Sequence, residues 1–272
     1  MVISLAALAF GFFIGVLGTL VGAGGGFLIV PVVALVEPKW ATQTITAFSL
    51  AVVAANAAAG VISYQRQRRI DLKSFPLFAA AAIPGAALGA WLSNFIPRSI
   101  FDLIFGVGLV AVAVVLFVNP ARRLGRSRGG TKRLFIDRNG RRHEWSFDLP
   151  TGIAGAACVG VLSSLLGIGG GIVHVPFMVT VLSFPEHVAT ATSLAVLAVT
   201  AVVGAIVHVV QGDYRADALL TLLVAAGAVA GAPVGAKVSS LLPGRIITRI
   251  LALALVLVGV RLCILSLSRM HG

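Results

Sequence analysis

The residues of this chain best suited to chemistry are two glycine triplets in matching surroundings. Residues Gly15–Pro31 read GVLGTLVGAGGGFLIVP and Gly160–Pro176 read GVLSSLLGIGGGIVHVP. The register is gap-free, so Gly22, Gly24, Gly25, Gly26 and Pro31 match Gly167, Gly169, Gly170, Gly171 and Pro176. A helix crossing lipid does not normally carry three consecutive glycines, because each costs about 1 kcal/mol of helix propensity. A helix restarting after such a break aims unpaired N–H groups and the positive end of its dipole at whatever lies before it, which favours an anion. Glycine also lets a ligand approach the backbone closely. Two helix starts, one from each triplet, could grip an oxyanion from both sides. The competing reading is that the glycines only permit tight helix crossing.

Hydrogen-bond donors follow each triplet in a corresponding region. Thr42, Gln43, Thr44, Thr46, Ser49 and Asn56 interrupt one apolar run, and Thr190, Thr192, Ser193 and Thr200 interrupt its counterpart. Thr46, Ser49 and Asn56 are spaced to share one helix face. The candidate substrate-binding residues are therefore Gly24, Gly25, Gly26, Thr46, Ser49 and Asn56 with Gly169, Gly170, Gly171, Thr190 and Ser193. The plainer role for the hydroxyls is interhelical hydrogen bonding, worth about 0.6 kcal/mol each. His174 stands where the first copy has Ile29, and a titrating imidazole there is the candidate for proton coupling. A histidine merely hydrogen-bonded within a bundle is the alternative. His208 matches Tyr64 and is expected at the membrane interface near a helix end. No HExxH, GxSxG or intramembrane carboxylate cluster is present, so neither an enzyme, a metal site nor a cofactor is expected.

The elements that position these residues are apolar. The 272 residues are 58% hydrophobic and 11% charged, and the mean hydropathy is +1.04. Val2–Val36 contains no Asp, Glu, Lys or Arg, and six further uncharged runs follow, most long enough for a span of about 20 residues. A polytopic membrane protein is the only class that fits. The start lacks the basic n-region of a cleavable signal peptide. Cys158 and Cys263 fall in apolar segments and read as buried filler rather than a disulfide framework. Arg249 and Arg261 flank eleven apolar residues, a spacing that suits snorkelling to opposite faces, with one of them facing the cavity as the alternative. Asp102 is expected at an interface.

The net charge of +12 concentrates in the middle of the chain and does not point to nucleic acid. Pro120–Pro150 holds Arg122, Arg123, Arg126, Arg128, Lys132, Arg133, Arg138, Arg141 and Arg142, and a second basic loop holds Arg66, Arg68, Arg69 and Lys73. Short basic loops stay in the cytoplasm. Asn139-Gly140, flanked by Arg133–Asp137 and Arg142–Phe147, is a type I′ hairpin cue. The basic face of that hairpin is placed to touch anionic headgroups, although topology control alone explains its charge.

The repeat extends past the glycines. Thr46–Leu50 aligns with Thr190–Leu194, Gly60 with Gly204, Gly85–Ala90 with Gly231–Ala236, and Pro97 with Pro243. Gly85/Gly89 and Gly231/Gly235 sit four apart, a packing signal. The expected fold is an all-α polytopic membrane protein of two homologous repeats, each of four or five transmembrane segments beginning with a glycine-broken helix, with a small β-hairpin in the central cytoplasmic loop. Residues 1–118 form the first repeat, 119–149 the basic linker and 150–272 the second. If each broken segment crosses once, the spans total eight and the repeats are parallel. If it crosses twice they total ten and the repeats are inverted, which also places Lys237 and Arg245 inside and favours that arrangement.

The paired GxGGG-x4-P motifs, each followed by a Thr/Ala-Thr-Ser-Leu type of stretch, resemble the sulfite exporter TauE/SafE family of anion transporters over nearly the whole chain. The resemblance implies a secondary transporter in the inner (cytoplasmic) membrane that exports sulfite, an organosulfonate or another small sulfur-containing anion. A passive anion channel and an importer are the alternatives. The partners so implied are the anion and membrane lipids, with a homodimer as the open possibility.

Overall fold

The apolar runs fold as helices. In chain order they are α1 (Val2–Val21), α2 (Gly26–Val36), α3 (Thr42–Arg66) and α4 (Phe75–Leu92) in the first half. The second half holds α5 (Leu149–Leu165), α6 (Gly171–Thr180), α7 (Glu186–Val210), α8 (Ala218–Leu241) and α9 (Gly244–His271). Between them lie the strands β1 (Thr131–Ile136) and β2 (Arg142–Phe147). This computed structural model describes residues 2–37, 39–95, 103, 106–111, 113–114, 130–136, 140, 142–214 and 217–271. Pro97, Asp102, Arg122, Arg123, Arg126, Arg128, Arg138, Asn139 and Arg141 lie outside the described residues. Five of the helices, α1, α3, α4, α7 and α8, carry stretches long and apolar enough to cross a bilayer. The protein is a multi-pass membrane protein.

Both glycine segments stop a helix in the same way. After α1, Gly22 adopts φ +79°, and the N–H groups of Ala23 and Gly24 return to the Gly18 carbonyl (2.9 and 3.0 Å). After α5, Gly167 adopts φ +66°, and Ile168 and Gly169 return to the Ser163 carbonyl (3.2 and 3.3 Å). Gly24, Gly25, Gly169 and Gly170 continue at positive φ, a region that L side chains rarely adopt. The chain turns back on itself, so that a Cβ on Gly25 would lie 2.4 Å from the Ile14 side chain. α2 and α6 then run 11 and 10 residues, about half of a 30 Å hydrocarbon core at 1.5 Å per residue.

The two halves interlock. α1 lies against α8, where Cβ atoms on Gly15 and Gly231 would sit 2.2 Å from the carbonyl oxygens of Ala228 and Phe12. α4 lies against α5 in the same manner, with Gly85 on Ala157 and Gly89 on Val161 at 2.3 and 2.1 Å. These glycines have the packing role that their spacing predicts. α3 and α7 cross at the centre, Gly60 facing Leu194 and Gly204 facing Leu50. Residue numbers thus rise along one helix as they fall along the other, so these equivalent helices run antiparallel. That relation is compatible with the inverted arrangement.

The hairpin pairs Thr131 with Phe147 through Ile136 with Arg142. Gly140 has the positive φ (+76°) that the turn cue requires. Trp145 and Phe147 are buried against Phe78, Met178, Leu182 and Phe184. Asp148 caps α5 by accepting from the Thr151 N–H and hydroxyl, which holds its carboxyl below the usual carboxylate range.

Three expectations about single residues need correction. Cys158 is exposed and Cys263 half-buried, because the outer face of a membrane bundle is apolar too and needs no burial to accept them. Arg249 and Arg261 both lie on the exposed surface of α9, where snorkelling is open to them, so the alternative in which one faces the cavity is the part that falls. His208 is indeed two residues from the end of α7, but its ring is fully buried and its Nδ1 pairs with Asp213 at 2.9 Å.

Candidate anion-binding site

The two glycine breaks meet at the middle of the protein, and the contacts between them are reciprocal. A Cβ on Gly26 would lie 2.6 Å from the Ile168 Cα, and one on Gly171 would lie 2.3 Å from the Gly22 carbonyl oxygen. Ser49 on α3 donates to the Gly167 carbonyl (2.5 Å), and Ser193 on α7 donates to the Gly22 carbonyl (3.4 Å). Each half therefore holds the other half's break by its matching serine. Val53 and Leu197 from the crossing of α3 and α7 fill the space beside Gly24 and Gly169. The candidate residues Gly24–Gly26, Gly169–Gly171, Ser49 and Ser193 are thus brought together at one place.

Within this shared frame the two breaks differ. In the first half, Asn56 donates to the Gly24 carbonyl (2.9 Å) and accepts from Thr19 (3.2 Å), whose own carbonyl accepts from Tyr64 (2.7 Å). Ile14 closes the remaining space against Gly25. Every polar side chain in this chain of contacts has a partner.

The second half leaves its break open. Thr200 takes the place of Asn56, and its short hydroxyl only reaches back to the Leu197 carbonyl (3.2 Å). A cavity of about 10 Å³ remains, walled by Gly169–Gly171, Ser163, His174 and Thr200 among others. That is room for about one water. Ser163 and His174 are 1% and 2% exposed, and neither Ser163 Oγ nor His174 Nε2 has a protein partner. Two unpaired polar atoms in one closed space are costly unless something else fills it. α6 starts at the same cavity, where the Gly171 N–H donates to the Gly169 carbonyl and the Val173 N–H to the Gly170 carbonyl (both 3.0 Å).

The flanking threonines are oriented differently from the serines. Thr46 and Thr190 sit beside the opposing glycines Gly167 and Gly22, but their hydroxyls donate to carbonyls one turn back on their own helices, Thr42 and Glu186. Sequence reasoning missed Ser163, Ser164 and Thr19. The signal lay in the repeat itself: Ser163 replaces Gly18, so a polar side chain appears inside one break and not the other. Above the cavity stands an aromatic cluster. Phe78 packs edge-on to His174 at 6.1 Å and to Phe147 of the hairpin at 6.0 Å. Among the described residues no group of His, Cys, Asp and Glu is placed to hold a metal ion.

The sequence is similar to those of known membrane transporters. The profile of the family described as Sulfite exporter TauE/SafE matches residues 7–262. A Bacillus subtilis (strain 168) protein named "Probable membrane transporter protein YunE" is 29% identical over 263 residues, covering 93% of this chain and 94% of the relative. A protein of Methanocaldococcus jannaschii with a name of the same kind is 29% identical over 201 residues, covering 72% of this chain and 68% of its own. No solved structure matches.

Proposed function

Since this chain belongs to the sulfite exporter TauE/SafE family of membrane transporters, we propose that it is a secondary transporter exporting a small sulfur oxyanion or organosulfonate across the cytoplasmic membrane. The observation that carries this reading is the closed cavity at the second break, with Ser163 and His174 unpaired beside the start of α6. A space for about one water does not admit an oxyanion, so the cargo enters only when the halves move apart. Alternating access of the interlocked repeats supplies that movement.

In this reading the anion's oxygens take hydrogen bonds from backbone N–H groups after Gly24–Gly26 and Gly169–Gly171, where the helix dipoles favour negative charge. Ser49 and Ser193 turn their hydroxyls from the opposing carbonyls to the cargo as the breaks separate, and Thr46, Thr190 and Asn56 complete the donor set. His174 takes up a proton with the anion, which lowers the cost of carrying its charge through lipid. The basic loops after α3 and between the halves face the cytoplasm by the positive-inside rule.

The test is flux through the purified full chain in liposomes. Sulfite, sulfate, thiosulfate, a two-carbon sulfonate and chloride are compared with and without a pH gradient. Saturable, pH-sensitive movement of a sulfur anion is expected. Unsaturable current carried equally by chloride would make the protein a channel and overturn the proposal.

A further inference from the structure

α3 and α7 end in the same backbone motif with one chemical difference. At the end of α7, Gly212 has φ +74°, its N–H returns to the Val209 carbonyl (3.1 Å), and Asp213 N–H returns to the His208 carbonyl (3.0 Å). At the end of α3 the matching residue is Arg68, at φ +51°, with its N–H on the Gln65 carbonyl (2.9 Å) and Arg69 N–H on the Tyr64 carbonyl (3.2 Å). Glycine is the usual residue at this left-handed position after a helix, and a side chain there is strained. The protein uses glycine in one copy and tolerates an arginine in the other. Strain kept at one member of a matched pair is a pointer to function.

The guanidinium it buys stands beside an unusual groove. About 360 Å³ of space opens between the loop after α3 and the hairpin, lined by Gln65, Arg68, Ile70, Leu72, Phe135 and Ile136. Leu72 and Ile136 are 60% and 51% exposed, a poor arrangement for a wall facing water. Among the described residues no carboxylate lines the groove. The nearby Asp71 is engaged with Ser74 and the Lys73 N–H, and lies 3.6 Å from Arg133. Arg66, Lys73 and Lys132, all exposed, add positive charge along the same loop and strand.

We propose that this groove binds an anionic phospholipid of the cytoplasmic leaflet, its phosphate on Arg68 and its first acyl methylenes on Leu72, Phe135 and Ile136. The occupant must bring a negative group and an apolar chain together, and an inner-leaflet lipid does both at the depth where an apolar transmembrane helix ends. A free phosphate would satisfy the arginine and leave the apolar wall wet. The proposal rests on the cytoplasmic placement of these loops given above and not on the identity of the cargo.

Native mass spectrometry of the full chain, released from micelles containing equal phosphatidylglycerol and phosphatidylcholine, reads the site without any transport assay. The wild type should retain phosphatidylglycerol in preference, and Arg68→Ala should retain at least tenfold less. Arg68→Lys should recover part of the loss, and Arg249→Ala, exposed on α9 and outside the groove, should bind as the wild type does. Arg68→Gly gives the sharper test, because relief of strain should raise its melting temperature in lipid-free detergent while phosphatidylglycerol no longer stabilises it. Equal retention of the two lipids by the wild type, or undiminished binding by Arg68→Ala and Arg68→Gly, would overturn the proposal. Protection by inorganic phosphate alone, as strong as that by the lipid, would overturn it as well.

Discussion

The first and second glycine breaks share a backbone and differ in what surrounds it. Around the first, Asn56, Thr19 and Tyr64 satisfy one another and Ile14 fills the gap. Around the second, Thr200 is too short to do the work of Asn56, and Ser163 and His174 face a cavity without protein partners. One copy is a finished piece of packing, whereas the other retains unmet polar groups in the protein's centre. Buried polar groups are nearly always paired, and Ser163 and His174 stand apart from the other unpaired ones among the described residues by lining one cavity. The frame occurs twice, and the unpaired polar groups are found at one of the two breaks.

The largest effect should show no difference between the halves. Gly26→Val and Gly171→Val each drive a side chain into the opposing backbone, at 2.6 and 2.3 Å already for the Cβ. Each is expected to destabilise by more than about 4 kcal/mol, the range of severe steric defects, seen as loss of the monodisperse peak in size-exclusion chromatography. A folded, active Gly171→Val beside an unfolded Gly26→Val would break the symmetry of the frame.

Exchanging the residues that differ should have opposite signs. His174→Ile copies the first half into the second and should raise thermal stability by about 1–3 kcal/mol, the cost of an unsatisfied buried polar group. Its sulfite flux should fall by about tenfold or more, the worth of one charge-assisted hydrogen bond. The converse, Ile29→His, places an imidazole in a sealed site and should destabilise by a similar amount. A stability loss in His174→Ile would mean that the ring is already satisfied and would end the comparison.

Smaller effects sharpen it. Asn56→Thr gives the first half the second half's residue and should cost about 1–2 kcal/mol in thermal unfolding, since the Gly24 carbonyl and the Thr19 hydroxyl both lose a partner. Like His174→Ile, Ser163→Ala should raise stability, by about 1 kcal/mol, since it removes the second unsatisfied buried polar group of the same cavity. Its anion flux should still drop measurably, and an unchanged flux would remove Ser163 from the site.

The sequence made the breaks, the helices and the small-residue packing legible because each is local: glycine at positive φ, apolar runs, and spacing by four. The hairpin was legible from its strands and turn cue. Less visible was which half each residue serves. Ser49 and Ser193 align with each other in the repeat, yet each bonds to the other half's glycine loop, and only the crossing of α3 and α7 reveals it. Asn56 and Thr200 align too, but their reach differs by one functional group, and that difference opens the cavity. Cys158 misled because apolar surroundings do not distinguish a core from a lipid-facing surface.

The interlocking of the halves has a consequence for how the protein is made. α1 is synthesised long before α8, yet the surface that its Gly15 fits belongs to Ala228 on α8. α1 must wait in lipid until most of the chain has been synthesised, and α4 must likewise wait for α5 across the hairpin linker. Contacts this distant in sequence close late and slowly. Neither half has a complete core by itself, so a chain cut in the linker should give two fragments that are proteolysed when expressed singly and persist when expressed together.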